Sequence, residues 1–193
     1  MRALWLSVLL AAMLVPAAAA RADDLSGARE VLALTQQRLS YMGTVAAAKW
    51  ATRAPITDPA QEAAVLSSAR ELAGARELNA DSVAHLFAAQ ITAAKEVQLG
   101  WGEQWLLFGY PADQPVPDLA GVRPQIAALA PAIADALTRT GRMHCVRNAY
   151  ASLMKAARAT ITVRFADDRL RRQIVDAVLR VRPLGRRAPC AHV

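Results

Sequence analysis

Apolar residues recur along most of this chain at the three- and four-residue spacing that is typical of amphipathic helices, and strand-like alternation is almost absent. The first predicted helix runs from about Ser26 to Thr52 and ends before Pro55, because a proline disfavours helical backbone in the preceding residue. The sequence Asp58-Pro59-Ala60-Gln61 then has the pattern of a helix start, with aspartate as N-cap, proline in the first turn and glutamine at the capping-box position. This second helix is predicted to continue to about Leu78.

The same pattern predicts further helices. They cover about Asn79–Leu107, a stretch from about Leu119 onward, Met143–Ala159 and Asp167–Val181. Three prolines between Gly109 and Pro117 predict a loop, and Pro131 is expected to kink or break the helix that contains it. Thr160–Phe165 is prone to β-structure but is too short and isolated to build a sheet. The sequence therefore predicts an all-α fold, a single bundle of about six helices.

The N-terminus has the pattern of a secretory signal peptide. Arg2 precedes an almost unbroken apolar run, Leu4–Val15, and Ala20-Arg21-Ala22 fits the motif that signal peptidase recognises. The run is too short for a membrane-spanning helix, which needs about 20 apolar residues. We therefore expect residues 1–22 to be a cleaved signal peptide and residues 23–193 to form one domain. The protein would be periplasmic or secreted, without stable membrane association.

Two cysteines, Cys145 and Cys190, remain after this cleavage. In an oxidising compartment an even pair predicts one disulfide. His144 and His192 lie nearby in the sequence, so a zinc site is the alternative. The spacing matches no zinc motif, and we expect no bound metal.

The formal net charge of +7 falls to +5 when Arg2 and Arg21 are removed. Most of the excess lies late in the chain, at Arg164, Arg169, Arg171, Arg172, Arg180, Arg182, Arg186 and Arg187. A basic stripe can bind nucleic acid, but this one lacks the interleaved aromatic residues that stack on bases and belongs to an exported chain. We expect a solvated helix face and no nucleic-acid partner. The basic balance still favours capture of a small anion.

Two cations of the first predicted helix lie in apolar surroundings. Arg38 and Lys49 are 11 residues apart, which brings their side chains to within about 20° of the same helix face. Lys49 follows Val45–Ala48 and precedes Trp50, unusual neighbours for a fully solvated lysine. Periodicity alone leaves two readings open: a pair of surface charges, or part of a functional site.

Several segments resemble one family of enzymes. They are Gln37-Arg38-Leu39, Ala47–Trp50, Pro55–Asp58 and, in the same register, Gln90-Ile91, Ala94–Gln98 and Asp118–Arg123. Together they resemble the all-helical chorismate mutases, specifically the secreted, or gamma, subclass, and imply a bundle like that of type II chorismate mutases. The resemblance covers most of Arg29–Arg123 with little or no gapping. The C-terminal third agrees only in helix content and in its cysteine pair.

The resemblance implies roles for three cations. Arg38 matches the arginine that grips a substrate carboxylate, and Lys49 matches the lysine that reaches both a carboxylate and the ether oxygen. Arg123 matches an arginine of the secreted subclass, which replaces one donated by a second subunit elsewhere in the family. The site is therefore expected to lie within one chain.

The resemblance also implies roles for uncharged and acidic residues. Asp58 falls where the family holds the ring hydroxyl of the substrate, Glu62 lies close to that contact, and Gln98 takes the second position at the ether oxygen. Two positions depart from the commonest pattern. Gln61 stands where many relatives have an arginine, which grips a carboxylate better than glutamine does. Ala94 stands where a serine or threonine often binds a carboxylate.

The reaction implied is the conversion of chorismate to prephenate, an intramolecular Claisen rearrangement that needs no nucleophile, metal or cofactor. It is accelerated by holding a dianion in its compact conformer and by stabilising negative charge on the ether oxygen. Arg38, Arg123 and Lys49 would serve the first purpose, and Lys49 and Gln98 the second. The resemblance also implies a homodimer.

Two alternatives to this function remain open. A lyase on the same fold, splitting isochorismate into salicylate and pyruvate, would use the same cations. A non-catalytic exported helical protein that binds a small anion or a partner is the other alternative, and Gln61 and Ala94 favour it.

The remaining charged and aromatic residues of these helices receive structural interpretations. We interpret Arg70, Arg76 and Lys95 as solvated helix charges. Trp101 and Trp105, about one turn apart, are interpreted as core residues.

Overall fold

The structure, a computed structural model, describes residues 17–185 and residue 190, with side chains from residue 25 onward. Within these residues the helices are α1 (Ala17–Ser40), α2 (Met42–Thr52), α3 (Pro59–Gly74), α4 (Ala80–Phe108), α5 (Leu119–Thr138), a 3-10 helix (Met143–Cys145), α6 (Ala149–Thr160) and α7 (Asp168–Arg180). The β-pairing found in the described part is one isolated bridge between Leu78 and Pro183. The predicted all-α class is confirmed. The predicted signal peptide lies outside the described residues, except for its last six, which belong to α1.

Side chains at the N-caps explain where four helices begin. Asp58, Asn79, Asp118 and Asp167 each accept a hydrogen bond from a backbone N–H two or three residues further on, at 2.7–3.1 Å. Each bond satisfies one of the N–H groups that a helix start leaves without an intrahelical partner. The start signals at Asp58 and Asn79 predicted from the sequence are confirmed.

Two predictions about helix boundaries in the first half of the chain need correction. The first predicted helix is interrupted at Tyr41, although Tyr41 keeps helical backbone angles (φ −75°, ψ −13°), so the interruption is local. The second predicted helix ends at Gly74 instead of about Leu78. It ends there because the chain turns: the Leu78 N–H donates to the Ala73 carbonyl at 3.0 Å, and Glu77 adopts a left-handed φ of 54°.

In the second half, the break that was one of two outcomes expected at Pro131 does not occur, and one further prediction was wrong. Pro131 does not break its helix, because α5 continues through it to Thr138 with buried Ile133 and Leu137 packed into the core. The single helix predicted over Met143–Ala159 is two elements, since Asn148 adopts a left-handed φ of 60° between the 3-10 helix and α6.

The core lies where α1 packs against α5 and α6 while α4 packs against α2, α3 and α7. Its largest fully buried side chains include Leu32, Leu39, Leu86, Phe87, Ile133, Leu137, Leu153, Leu170 and Ile174. One buried polar contact crosses it, from the Gln90 amide to the Thr35 hydroxyl at 3.0 Å. Among the helices described here, none is long and apolar enough to cross a membrane.

An aromatic cluster joins the ends of α2 and α4. Trp105 is 5% exposed and contacts the rings of Trp50, Trp101 and Tyr110 at centroid distances of 5.6, 5.7 and 5.0 Å. The interpretation of Trp101 and Trp105 as packing residues is confirmed. Trp101 also approaches the backbone of Gly43, where an added Cβ would lie 3.1 Å from the indole nitrogen.

Cys145 and Cys190 form the predicted disulfide, with an S–S distance of 2.03 Å. The bond ties the end of the 3-10 helix to a residue 45 positions later in the chain. It therefore closes a loop around α6 and α7, the two helices that lie beyond the segment resembling the mutases.

Candidate active site

A cavity of about 580 Å³ opens between α1, α2, α3, α4 and α5. All seven residues predicted for the site line it: Arg38, Lys49, Asp58, Gln61, Glu62, Gln98 and Arg123. A more open depression of about 690 Å³, lined by Ser82, His85, Arg180 and Arg182 among others, contains none of these residues. The chemistry predicted from the sequence therefore converges on the smaller cavity.

Arg38 lies in the last turn of α1 and is 7% exposed. Its guanidinium carbon lies 5.9 Å from the centre of the Phe87 ring, and its buried Nε has no hydrogen-bond partner among the described residues. Burial lowers the pKa of Arg38 to about 10, so the group remains charged at neutral pH. A buried, charged donor without a partner is the arrangement expected of a group that binds an anion.

Lys49 lies near the end of α2 and is half-buried. Its ammonium donates to the main-chain carbonyl of Ile56 at 2.7 Å, which leaves two of its three protons for a ligand. Burial lowers the pKa of Lys49, and the charge of Arg123 lowers it further, whereas the carboxylates of Asp58 and Glu62 raise it. Lys49 is thus within electrostatic reach of the other charged groups of the cavity.

The start of α3 forms one side of the cavity. The Asp58 carboxylate accepts from the Gln61 backbone N–H at 3.1 Å, and the Gln61 side chain is exposed. Pro59 occupies the first turn, where its missing N–H leaves no helical hydrogen bond unmade. The N-terminal end of the helix dipole adds partial positive charge at this side of the cavity.

Gln98 lies on α4 and is 5% exposed. Its Nε2 donates to the Ala94 carbonyl at 3.1 Å and contacts the Met42 sulfur at 3.6 Å, while its Oε1 has no partner in the described part of the chain. A thioether is a weak acceptor. A ligand oxygen could therefore take the second amide proton from Met42 at little cost.

Arg123 lies in the second turn of α5, is exposed and lines the cavity. It lines the same cavity as Lys49 and Gln98 of this chain. Its neighbour Pro124 is also part of the wall.

One site residue was missed, and its interpretation needs correction. Lys95 is a cavity residue and not a solvated helix charge: its ammonium lies 3.1 Å from both carboxylate oxygens of Glu62. Lys95 precedes Gln98 by three residues on the same helix, a spacing that puts both side chains on one face. That spacing could have identified it.

The charges of the cavity wall do not cancel. The cations are Arg38, Lys49, Lys95 and Arg123, and the carboxylates are Asp58 and Glu62, which leaves a net charge of +2. The rest of the wall is largely apolar, with residues such as Val45, Ile91 and Leu119. Such a cavity suits a compact dianion that has an apolar body.

Comparison with known proteins agrees with this description. Residues 28–99 match the family described as chorismate mutase type II. A secreted chorismate mutase of Yersinia pestis is 40% identical over 102 residues, which cover 53% of this chain and 54% of that protein. The chain thus aligns with about half the length of this curated relative.

Solved structures extend the likeness to most of the chain. The crystal structure of the secreted chorismate mutase of Yersinia pestis has a TM-score of 0.71 at 27% identity, covering 80% of this chain and 97% of that one. The chorismate mutase of Burkholderia thailandensis has a TM-score of 0.69 at 28% identity, with coverages of 80% and 97%. That of Burkholderia phymatum has a TM-score of 0.67 at 25% identity, with coverages of 81% and 95%.

The fold and the cavity define an all-helical protein built around a cavity with a net positive charge. The family match and the structural likeness narrow this further: residues 28–99 are similar to type II chorismate mutases, and the fold of most of the chain is similar to theirs.

Proposed function

We propose that this chain is an exported chorismate mutase, which converts chorismate to prephenate. The observation that supports this function most directly is the convergence of seven predicted residues on one cavity with a net charge of +2. Chorismate carries one carboxylate on its small carbon ring and a second on its enolpyruvyl ether side chain, so its charge and size match those of the cavity. The name of the Yersinia pestis relative supports the same activity.

The reaction breaks the ether C–O bond while a C–C bond forms, within one molecule and without a proton transfer. The protein can accelerate it by selecting the compact conformer, in which the two ends of the new bond are close, and by stabilising the negative charge that grows on the ether oxygen. Both tasks require fixed hydrogen-bond donors, and neither requires a nucleophile.

We assign the donors as follows. The buried guanidinium of Arg38 and the exposed guanidinium of Arg123 each bind a carboxylate and so hold the compact conformer. The two free protons of Lys49 reach a carboxylate and the ether oxygen. The Gln98 amide donates its second proton to the same oxygen. Because charge on that oxygen is largest in the transition state, the last two contacts strengthen as the bond breaks.

The substrate's ring hydroxyl would lie at the start of α3. Asp58 and Glu62 offer acceptors there, and the exposed Gln61 can add a neutral hydrogen bond. With no arginine at Gln61 and no hydroxyl at Ala94, we expect weaker substrate binding than in relatives that have both.

We further propose that the protein acts after export, beginning at Asp23, in the periplasm or outside the cell, as a homodimer without stable membrane association. The N-terminal apolar run and the small residues that follow it support export. N-terminal sequencing of the exported protein and sedimentation at two concentrations would test these points. An exported chain that retains residue 1, or that sediments as a monomer, would contradict the respective proposal.

The activity is tested by mixing purified exported protein with chorismate and following prephenate. We expect conversion that saturates with substrate and that is lost in the Lys49→Ala variant. The matched control is Lys155→Ala, a lysine exposed on α6 outside the cavity. A parallel assay with isochorismate, scored for salicylate and pyruvate, distinguishes the lyase. Binding of chorismate without any product would instead identify a non-catalytic binding protein.

A further inference from the structure

Lys95 and Glu62 form an ion pair across the cavity wall, from α4 to α3. The Lys95 ammonium lies 3.1 Å from each Glu62 oxygen, and the two side chains are 28% and 27% exposed. A second pair, Arg70 with Asp81, joins the same two helices at 3.5 Å, but its side chains are 50% and 90% exposed and it lies outside the cavity. The two pairs thus make similar structural links in different surroundings.

The charge of Glu62 matters because of what the cavity is proposed to hold. A carboxylate facing a bound dianion repels it, and partial burial strengthens that repulsion. Lys95 cancels this charge. Without Lys95 the net charge of the wall would fall from +2 to +1, and Glu62 would have no cation in hydrogen-bond contact.

The pair also leaves Glu62 able to accept a further hydrogen bond. A carboxylate has about four lone-pair sites, and the contacts with Lys95 use only two of them. The rest can accept from a hydroxyl, while the two contacts hold the carboxylate in one orientation. Neither Gln61 nor Ala94 carries a charge that could replace Lys95 in this part of the wall.

We propose that Lys95 is a positioning residue for substrate binding: it neutralises Glu62 and orients that carboxylate to accept the ring hydroxyl of the bound substrate. This inference rests on the proposed function of the cavity. Lys95 acts through Glu62, away from the bond that breaks. Its loss should therefore weaken binding of the substrate more than it slows the chemical step.

The test measures kcat and KM for three variants with chorismate. For Lys95→Met, which keeps most of the side-chain length without the charge, we expect KM to rise about tenfold with kcat within about threefold of wild type. Lys95→Arg should restore KM to within about threefold of wild type. The double variant Lys95→Met/Glu62→Gln should regain most of the lost affinity, because the unpaired carboxylate is gone while an acceptor oxygen remains.

The matched control is Arg70→Met, which removes the other link between α3 and α4. It should leave KM unchanged even if it lowers the melting temperature as much as Lys95→Met does. The inference is overturned if Lys95→Met keeps KM within twofold of wild type, if Arg70→Met raises KM equally, or if the double variant regains nothing.

A failure of the proposed function would look different. A wild type that binds chorismate but does not convert it would contradict the mutase assignment, and calorimetric affinities for chorismate across the same variants would then decide the role of Lys95. A wild type that neither binds nor converts chorismate would overturn both.

Discussion

The ammonium of Lys49 and the main-chain carbonyl of Ile56 are joined by a hydrogen bond of 2.7 Å. The bond ties the end of α2 to the loop that leads into α3, so the two sides of the cavity are fixed relative to each other before any ligand binds. It also aims the remaining protons of Lys49, because one of the three is already used. Preorganised donors of this kind stabilise a transition state without reorganising during the reaction.

Replacing Lys49 by alanine should nearly abolish turnover while the fold persists. Loss of one preorganised donor in a comparable site costs about 3–4 kcal/mol, or a factor of about 10²–10³ in kcat. The measurement is kcat for Lys49→Ala, with circular dichroism and melting temperature as checks of folding. A folded variant that keeps half of the wild-type activity would show that the site lies elsewhere.

Arg123 should act on the cavity of its own chain. Arg123→Ala is expected to lower kcat/KM sharply, and mixing it with Lys49→Ala should restore nothing, because each active cavity needs both residues from one chain. The measurement is activity after the two variants are unfolded, mixed and refolded together. Recovery of about a quarter of wild-type activity would reveal a site shared between subunits.

Replacing Arg38 should separate stability from activity. Its guanidinium is buried, and the Nε of that group has no hydrogen-bond partner among the described residues. A buried polar group without a partner destabilises a fold by about 1–3 kcal/mol. The lowering of its pKa to about 10 also means that Arg38 destabilises the fold. The folded state disfavours the charged form, and this cost is present at all pH values below that pKa. Arg38→Met should unfold at higher denaturant concentration than wild type and yet bind chorismate poorly. A variant that is both less stable and inactive would contradict this balance.

The pH profile should depend on Gln98 and Lys49. Glutamine has no proton to lose, so kcat/KM of the wild type should stay roughly flat between about pH 5 and 8, a window well clear of unperturbed carboxylate and lysine pKa values. At higher pH it should fall as Lys49 loses its proton. That fall should begin below the ordinary lysine value of 10.5, because burial lowers the pKa of Lys49.

The Gln98→Glu variant should have a different pH profile, with activity that falls between acid and neutral pH. A glutamate donates to the ether oxygen only when protonated, so the variant should keep activity in acid and lose it toward neutrality. The measurement is kcat/KM against pH for both proteins. A tenfold change in the wild type between pH 5 and 8 would show that another group controls the reaction.

The disulfide should stabilise the C-terminal helices without contributing to chemistry. It closes a loop of 45 residues, for which the chain-entropy estimate is about 4 kcal/mol. Replacing Cys145 and Cys190 together by serine should lower the free energy of unfolding by about that amount and leave kcat unchanged at temperatures where the variant is folded. Thiol titration of the denatured, unreduced wild type should find no free thiol.

Local signals in the sequence were sufficient to predict much of the fold. Asp58 and Asn79 were recognisable as helix starts because a cap is a short-range contact between a side chain and a nearby N–H group. The absence of a break at Pro131 has the opposite cause: tertiary packing of Ile133 and Leu137 holds a helix that local propensity disfavours. The turn at Glu77 was missed because a left-handed backbone at a residue other than glycine leaves little trace in a single sequence.

The site was predictable to the extent that the chain resembles a family. Arg38 and Lys49 were singled out by their apolar neighbours, but their convergence with Arg123 depends on long-range packing that no local pattern reveals. Lys95 was not recognised as a cavity residue from the sequence. Its three-residue spacing from Gln98 places it on the same face of α4, but its ion pair with Glu62 depends on the packing of α3 against α4, which no local pattern reveals.

Gly43 does not line the cavity, although its neighbour Met42 does. Gly43 on α2 lets the indole of Trp101 on α4 approach so closely that an added Cβ would lie 3.1 Å from the ring nitrogen. Trp101 is one helical turn beyond Gln98, and Gly43 follows Met42, whose sulfur contacts the Gln98 amide. A methyl group at position 43 would therefore require the indole of Trp101, or the two helices, to shift by a few tenths of an ångström. The close approach of α2, which carries Lys49, to α4, which carries Gln98, thus depends on a missing side chain.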